Sequence, residues 1–366
     1  MIKLAYDLRW VRSEQIDGIG RYSLGLAKAL RGEDLDIIFL YHQRSLKPFL
    51  ESALGSDAKL IRVPFEILTV ADFFRTPGFL RGLGIDVYFS PNYITSFWHR
   101  GYEVILMVHD LIPFLYRKYR GKVSLAQQLF YLSALPTEIL LDQADMVIVN
   151  SQATKENLEK LLGVPAAKVT VLYPGLEVKP VGKPTKGSYL LYLGRMEPYK
   201  NLGRLIEAYS HLSRRVMSRY QLLIGGVGVE PYRSKLQQLT KDFSVGNRVK
   251  FLGFVPENKL GELYRSAAAF VYPSLYEGFG LPVLEARAAG VPVVTSNTSS
   301  LPEAAGDGAL LVNPTNVDDL SHAMERVLTD EALRQKLIQA DQHVVQEFSW
   351  ASSAKKFKEL IDDLAV

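Results

Sequence analysis

The chain has 366 residues, 48% of them hydrophobic and 22% charged, ordinary proportions for a globular protein that exclude a disordered or fibrous one. Its 43 Lys and Arg against 39 Asp and Glu give a net charge of +4, split evenly: residues 1–175 hold 20 basic and 18 acidic side chains, and residues 176–366 hold 23 and 21. Neither half is basic enough to advertise nucleic acid, and the absence of cysteine removes disulfides, thiolate nucleophiles and Cys-based metal sites.

The length favours two domains, at roughly 100–200 residues each. No run approaches the roughly 18 consecutive apolar residues of a spanning helix, and the start, Met1-Ile2-Lys3-Leu4-Ala5-Tyr6-Asp7, meets an acid before any long apolar core. The expectation is a cytoplasmic chain.

In chain order, aliphatic runs predict strands at Ile2–Tyr6, Ile37–Tyr41, Leu60–Val63, Val87–Ser90, Val104–Val108 and Met146–Val149. A second set falls at Tyr189–Leu193, Gln221–Ile224, Val249–Leu252, Ala269–Tyr272, Val293–Thr295 and Ala309–Val312. Continuous apolar strands alternating with helical stretches are the pattern of buried parallel sheets. One such helix is predicted over Asn201–Arg214, with Leu202, Leu205, Ile206 and Tyr209 on one face; another over Trp350–Leu364, with Ala354, Phe357, Leu360, Ile361 and Leu364 on one face. Between the two strand sets, Tyr173–Ser188 carries Pro174, Gly175, Pro180, Gly182, Pro184 and Gly187, a linker composition. The predicted architecture is α/β: two doubly wound, Rossmann-like domains, residues 1–174 and 175–349, with the terminal helix 350–366 returning to the first.

Doubly wound sheets bind ligands beyond the carboxyl ends of their strands. After the first strand, Gly18, Gly20 and Gly25 give a weak glycine fingerprint that fits a plain turn equally well. Asp34-Leu35-Asp36 has the Asp-x-Asp form of a metal site, but it precedes a strand and has no second acidic cluster, so no metal is expected. His109 follows a strand and, taken alone, is more often structural than functional. Arg117, Lys118, Arg120 and Lys122, set among aromatics, read first as a solvated face and second as a dock for an anionic membrane surface. Ser151 fits an N-cap as well as a ligand. In the second half, Gly194-Arg195 and Lys200 lie between a strand and a helix, where two cations near a helix N-terminus suit a diphosphate or are simply solvated. Glu277 sits on a glycine-framed turn and Glu285 inside the helix that follows; they could accept sugar and ribose hydroxyls, or serve as a dipole partner and a solvated helix residue.

Arg195-x4-Lys200-Asn201, followed by Glu277-Gly278-Phe279-Gly280-Leu281-Pro282-x2-Glu285, resembles the signature of retaining glycosyltransferase family 4, of the GT-B fold. Gly225-Gly226, Gly253-Phe254-Val255-Pro256 and Thr298–Gly306 fall in the family's order. The resemblance implies that Arg195 and Lys200 hold the donor diphosphate, Glu277 the transferred sugar and Glu285 the ribose. It further implies that backbone near Val255 meets the nucleobase, and that the amides of Phe279-Gly280-Leu281, with Gly194 and Gly278 nearby, face sugar or phosphate. Gly18, Gly20 and His109 would approach the donor from the first domain, although Gly18-Ile19-Gly20 departs from the Gly-Gly of many members. The implied activity is metal-independent, retaining transfer of a hexosyl unit from GDP-mannose or a UDP-hexose, with no further cofactor, to a saccharide or lipid-linked acceptor. Two rivals stand beside it: a nicotinamide dehydrogenase with Asp34 or Asp36 on the ribose, and a sugar-nucleotide binding module without turnover.

Overall fold

The computed structural model describes residues 1–13, 17–96, 98–99, 101–115, 135–176, 187–340 and 347–364. Among these the chain forms two compact units, one from the described residues of 1–175 with 348–364, the other from those of 176–347. In the first, β1 (Lys3–Asp7), β2 (Asp36–Tyr41), β3 (Lys59–Arg62), β4 (Val87–Ser90), β5 (Glu103–Val108), β6 (Met146–Val149) and β7 (Val169–Val171) lie in the order β3-β2-β1-β4-β5-β6-β7. In the second, β8 (Tyr189–Leu193), β9 (Gln221–Gly225), β10 (Val249–Gly253), β11 (Ala269–Tyr272), β12 (Val293–Ser296) and β13 (Ala309–Val312) lie in the order β10-β9-β8-β11-β12-β13.

Every pairing is parallel. The cause is in the sequence: β4 and β11 are buried at every residue, so both faces need cover, and the crossover helices supply it. Each sheet reverses direction once, between β1 and β4 in the first unit and between β8 and β11 in the second. Those are the switch points at which a doubly wound sheet opens a crevice beyond its carboxyl edge.

Two local features differ from the sequence expectation. β7 went unread because three residues are too few to stand out as a run; pairing with β6 holds it in place. The stretch read as one helix over Asn201–Arg214 is two, Leu202–Ser210 and Arg214–Arg219. Asn201 stays outside in the left-handed region at φ 63°, and Ser213 starts the second helix by accepting a hydrogen bond from the Val216 amide.

The helix Gly18–Leu30 begins at Gly18, with Asp17 capping it by accepting from the Gly20 amide at 2.9 Å. The helix Trp350–Leu364 packs on the first unit's sheet, burying Ala354, Phe357 and Ile361 beside Leu4, Tyr6 and Phe89. Ser353 Oγ donates to the Tyr173 carbonyl at 2.8 Å and Lys356 Nζ to that of Val171 at 2.8 Å. Gly25 is the seat of Trp350: a Cβ there would lie 2.3 Å from the indole Cε2. Packing therefore explains the third glycine of the Gly18-Gly20-Gly25 spacing.

Candidate active site

The second unit's switch point is built from the loops after β8 and β11. The loop after β8 is pinned first: the Gly194 amide donates to Gly225 O at 3.0 Å and the Met196 amide to Val227 O at 3.0 Å. Gly226, at φ 135°, lies so close to Gly194 that a Cβ would meet its carbonyl oxygen at 1.9 Å, so only glycine fits. The Gly226 amide in turn donates to Gly253 O at 2.7 Å, and Val255, just beyond, packs against Gly225.

Arg195 projects from this loop with 69% of its side chain exposed and its guanidinium 2.8 Å from Glu197 Oε1. Lys200 does the opposite. It ends a short 3-10 turn, Pro198–Lys200, and is 8% exposed. Its Nζ donates to Glu277 Oε1 at 2.7 Å, Glu277 Oε2 at 2.8 Å and Tyr272 OH at 2.9 Å. The rings of Tyr199 and Tyr272 face it at 5.1 and 5.3 Å. Burial works most strongly against the ammonium charge, but Glu277, Tyr199 and Tyr192 together outweigh it, so the lysine pKa stands above its ordinary value and the group remains cationic. Buried pairs of this kind are poor stabilisers compared with apolar packing, because both ions are desolvated. Their presence in a crevice points to function.

Asn201 ties the site's loops together. Its Nδ2 donates to Pro273 O at 3.0 Å and Pro314 O at 2.6 Å, linking the loops after β8, β11 and β13. Glu277 is fixed by its backbone: its amide donates to Ser299 Oγ at 3.0 Å, and Ser300 Oγ donates to its carbonyl at 3.0 Å. Gly278 and the buried Phe279 lead to Gly280, whose φ of 106° turns the chain into the helix Leu281–Ala288. Glu285, one turn into that helix, accepts from Tyr264 OH at 2.7 Å.

The structure thus brings Arg195, Lys200, Glu277 and Gly278–Leu281 to one edge of the second sheet, with Gly194 and the Val255 loop beside them and Glu285 inside the adjoining helix. Sequence reasoning missed Tyr199, Tyr272, Ser299 and Ser300, and gave Asn201 no role. Tyr272 looked like one more apolar strand residue, and the Ser299-Ser300 pair after β12 was the only written signal for the clamp on Glu277.

In the first unit, Gly18 and Gly20 form the first turn of their helix. His109 follows β5, partly buried, with Nε2 2.9 Å from Pro91 O and its ring edge-on to Tyr22. Burial lowers its pKa to about 4 despite the opposing pull of the Pro91 carbonyl, so it is neutral near pH 7. Since a carbonyl only accepts, Nε2 carries the hydrogen and Nδ1 keeps its lone pair. Ser151 is an N-cap, accepting from the Thr154 amide at 3.1 Å. Asp36 of the Asp34-Leu35-Asp36 run opens β2 with Lys59 on its carboxylate. Among the described residues, no group of three or more His, Asp and Glu is placed to hold a metal ion, and no helix is long and apolar enough to cross a membrane. Arg117, Lys118, Arg120 and Lys122 lie outside the described residues.

Two doubly wound units, one with a buried ion pair and an exposed arginine at its switch point, are the arrangement expected of the GT-B fold. The comparisons with known proteins agree. Residues 176–344 match the family described as glycosyl transferases group 1, and residues 16–179 match glycosyltransferase family 4. The chain is 31% identical over 366 residues to the O-antigen chain mannosyltransferase B of Escherichia coli, covering 92% of this chain and 93% of that protein. It is 30% identical over 270 residues to the serotype-specific mannosyltransferase WbdA of Escherichia coli, covering 69% of this chain and 32% of that much longer protein. Among solved structures, Anabaena Alr3699/HepE in complex with UDP and glucose superimposes with a TM-score of 0.77 at 18% identity, over 99% of this chain and all of that one. The chain belongs to this glycosyltransferase family.

Proposed function

We propose that the chain is a retaining, metal-independent hexosyltransferase that moves a mannosyl unit from a nucleoside-diphosphate mannose, GDP-mannose first among candidates, to a saccharide or lipid-linked saccharide in polysaccharide synthesis. The observation that carries the mannosyl assignment is the similarity to O-antigen chain mannosyltransferase B, which extends over 93% of that protein. A UDP-hexose is the alternative donor, favoured by the structural likeness to a protein solved with UDP and glucose.

In this proposal Lys200 and Arg195 meet the diphosphate, one from within and one from the rim. Both stabilise the negative charge that develops as the sugar–phosphate bond breaks, the kind of electrostatic contribution that usually dominates. Glu277, its backbone held by Ser299 and Ser300, accepts hydrogen bonds from hydroxyls of the transferred sugar. Glu285 takes the ribose, backbone near Val255 the nucleobase, and the amides of Phe279-Gly280-Leu281 the sugar or phosphate. His109, neutral and with Nδ1 as acceptor, orients a sugar hydroxyl and moves no proton. For retention, the acceptor hydroxyl attacks the face that the diphosphate leaves and passes its proton to a departing phosphate oxygen. A peripheral contact with a membrane surface through the Arg117–Lys122 run belongs to the same proposal as the route to a lipid-linked acceptor.

The test is direct. GDP-mannose and UDP-glucose are each supplied with a mannosyl acceptor, with EDTA present, and the product anomer is read by NMR. An α-mannoside from GDP-mannose in EDTA is the expected result. A β-linked product removes retention, strict dependence on added Mg²⁺ or Mn²⁺ removes metal independence, and transfer from UDP-glucose alone replaces the donor.

A further inference from the structure

Lys200 has three hydrogens on its ammonium and three acceptors within 2.9 Å: two Glu277 oxygens and the Tyr272 hydroxyl. These three acceptors can between them engage all three hydrogens. A diphosphate oxygen meeting Lys200 therefore competes with them. The acceptors are not equivalent. All three bonds are charge-assisted by the ammonium, but only the carboxylate adds the attraction of an opposite charge, so the phenol is the one that yields at least cost.

The phenol is also placed to wait. Tyr272 ends β11, is 1% exposed, and stacks between Tyr192 and Phe270 with interplanar angles of 14° and 17°. The stack fixes the ring while the hydroxyl looks toward Lys200. Burial first and Glu277 second hold the phenol's pKa well above its usual range, so it stays neutral and cannot compete with phosphate by charge.

We propose that Tyr272 is a placeholder ligand of Lys200: its hydroxyl accepts from the ammonium and is displaced when the donor diphosphate arrives. The proposal rests on the diphosphate assignment of Lys200 and adds a residue to it. Tyr272 is a positioning residue, acting on the substrate through Lys200. It keeps the buried ammonium aimed and satisfied, and in doing so it weakens donor binding.

The consequence runs against the usual effect of deleting a hydrogen bond. In Tyr272→Phe the ring and its stack remain, but one ammonium hydrogen is left without a partner in the empty enzyme, a penalty that diphosphate binding relieves. Calorimetric titration of wild type, Tyr272→Phe and Lys200→Ala with GDP, UDP, GMP and UMP tests this. Expected is binding of the preferred diphosphate tightened on the order of tenfold in Tyr272→Phe, with the matching monophosphate unchanged and kcat at saturating donor within a few-fold of wild type. The donor KM falls with the dissociation constant. Diphosphate binding that is unchanged or weaker in Tyr272→Phe overturns the placeholder, and so does an equal gain for the monophosphate. Lys200→Ala with wild-type diphosphate affinity, or wild type that binds neither diphosphate, overturns the diphosphate assignment itself. A second measurement needs no stable variant: in wild type labelled with ¹³Cζ-tyrosine, the Tyr272 resonance should shift on saturation with diphosphate. A resonance that stays in place means the phenol is not displaced.

Discussion

The two sheets share one winding order, yet their switch points are filled in opposite ways. Between β1 and β4 the first unit closes a charge network upon itself. Arg9, 8% exposed, donates from Nε and Nη2 to Asp7 at 2.7–3.1 Å and from Nη1 to Asp72 at 2.6 Å. Tyr88 OH donates to Asp7 at 2.8 Å, and Thr76 Oγ1 to Asp72 at 2.6 Å. Beyond Tyr88 the chain of contacts runs through Thr95 and His99 to Tyr102. Burial opposes the Arg9 charge most strongly, and Asp7, Tyr88 and Asp72 together more than restore it, leaving the guanidinium pKa above its ordinary value. Between β8 and β11 the second unit sets a single buried lysine against a single carboxylate, with an exposed arginine on the rim. The same topology therefore yields a plug of paired charges in one unit and, in the other, the ion pair and rim arginine proposed as the donor site. What separates them is whether the buried cation is held by two carboxylates or by one carboxylate and a phenol.

Lys200→Ala should show the largest effect. Turnover falls by on the order of 10²-fold or more, judged by the loss of single transition-state donors in other enzymes. Leaving Glu277 buried and unpaired also costs about 3–5 kcal/mol of stability. Steady-state rates and urea midpoints measure the two separately. A variant as active as wild type would end the contrast, since the second switch point would then be a plug as well.

Arg9→Met makes the matching change in the first unit. It strands Asp7 and Asp72, so unfolding by urea should show a loss of about 3–5 kcal/mol. The folded fraction should keep kcat within a few-fold, because the network's hydrogen bonds stay inside the protein. Undiminished stability with abolished transfer would make Arg9 a ligand and reverse its assignment.

The pH dependence of stability should also be traced to the first unit. Burial lowers both His99 and His109 to about 4, from an ordinary value near 6.5. Below pH 6.5 the unfolded chain takes up a proton on each while the folded chain does not. Stability is therefore full above pH 6.5, falls as the pH drops toward 4, and levels off below it. Each histidine accounts for about 1.4 kcal/mol per pH unit, or roughly 3 kcal/mol across the window. Urea midpoints between pH 7 and 4 should show a flatter profile in His99→Gln than in wild type. An unchanged slope would mean that His99 titrates normally in the fold.

Much of this was written in the sequence, and the parts that were not share a cause. Strands such as Val87–Ser90 and Ala269–Tyr272 are apolar at nearly every position because both faces are covered, so their bounds could be read directly. The positions of Arg195, Lys200 and Glu277 on loops, and of Glu285 in the helix that follows, were legible because glycines and prolines fix the turns around them. Geometry between distant segments was not legible. Nothing near residue 200 says that Lys200 meets Tyr272, because the contact depends on β8 and β11 being neighbours across a crossover. The left-handed turn at Asn201, which takes that residue out of the predicted helix, is likewise sustained by carbonyls of Pro273 and Pro314 far along the chain. The Asp7–Arg9–Asp72 network was missed for the same reason, since it joins the end of β1 to the helix Val70–Gly82 more than 60 residues along the chain.

The smallest effect separates the two units through their glycines. Gly25 completes a spacing that reads as a phosphate fingerprint, yet what touches it is Trp350, 2.3 Å from where a Cβ would be. Gly280 differs twice over: its φ of 106° is disfavoured for any side chain, and it sets the entry to the helix that follows Glu277. Gly25→Ala should overpack the seat of the terminal helix and lower stability by about 1–3 kcal/mol, while nucleotide affinity stays at the wild-type level. Gly280→Ala should cost a similar amount, about 1–3 kcal/mol for the strained backbone, but with weaker binding of the donor nucleotide as well. Thermal unfolding with and without nucleotide distinguishes them: ligand stabilisation should survive in the first variant and shrink in the second. If Gly25→Ala instead loses its ligand shift, the glycine run of the first unit joins His109 in meeting the donor.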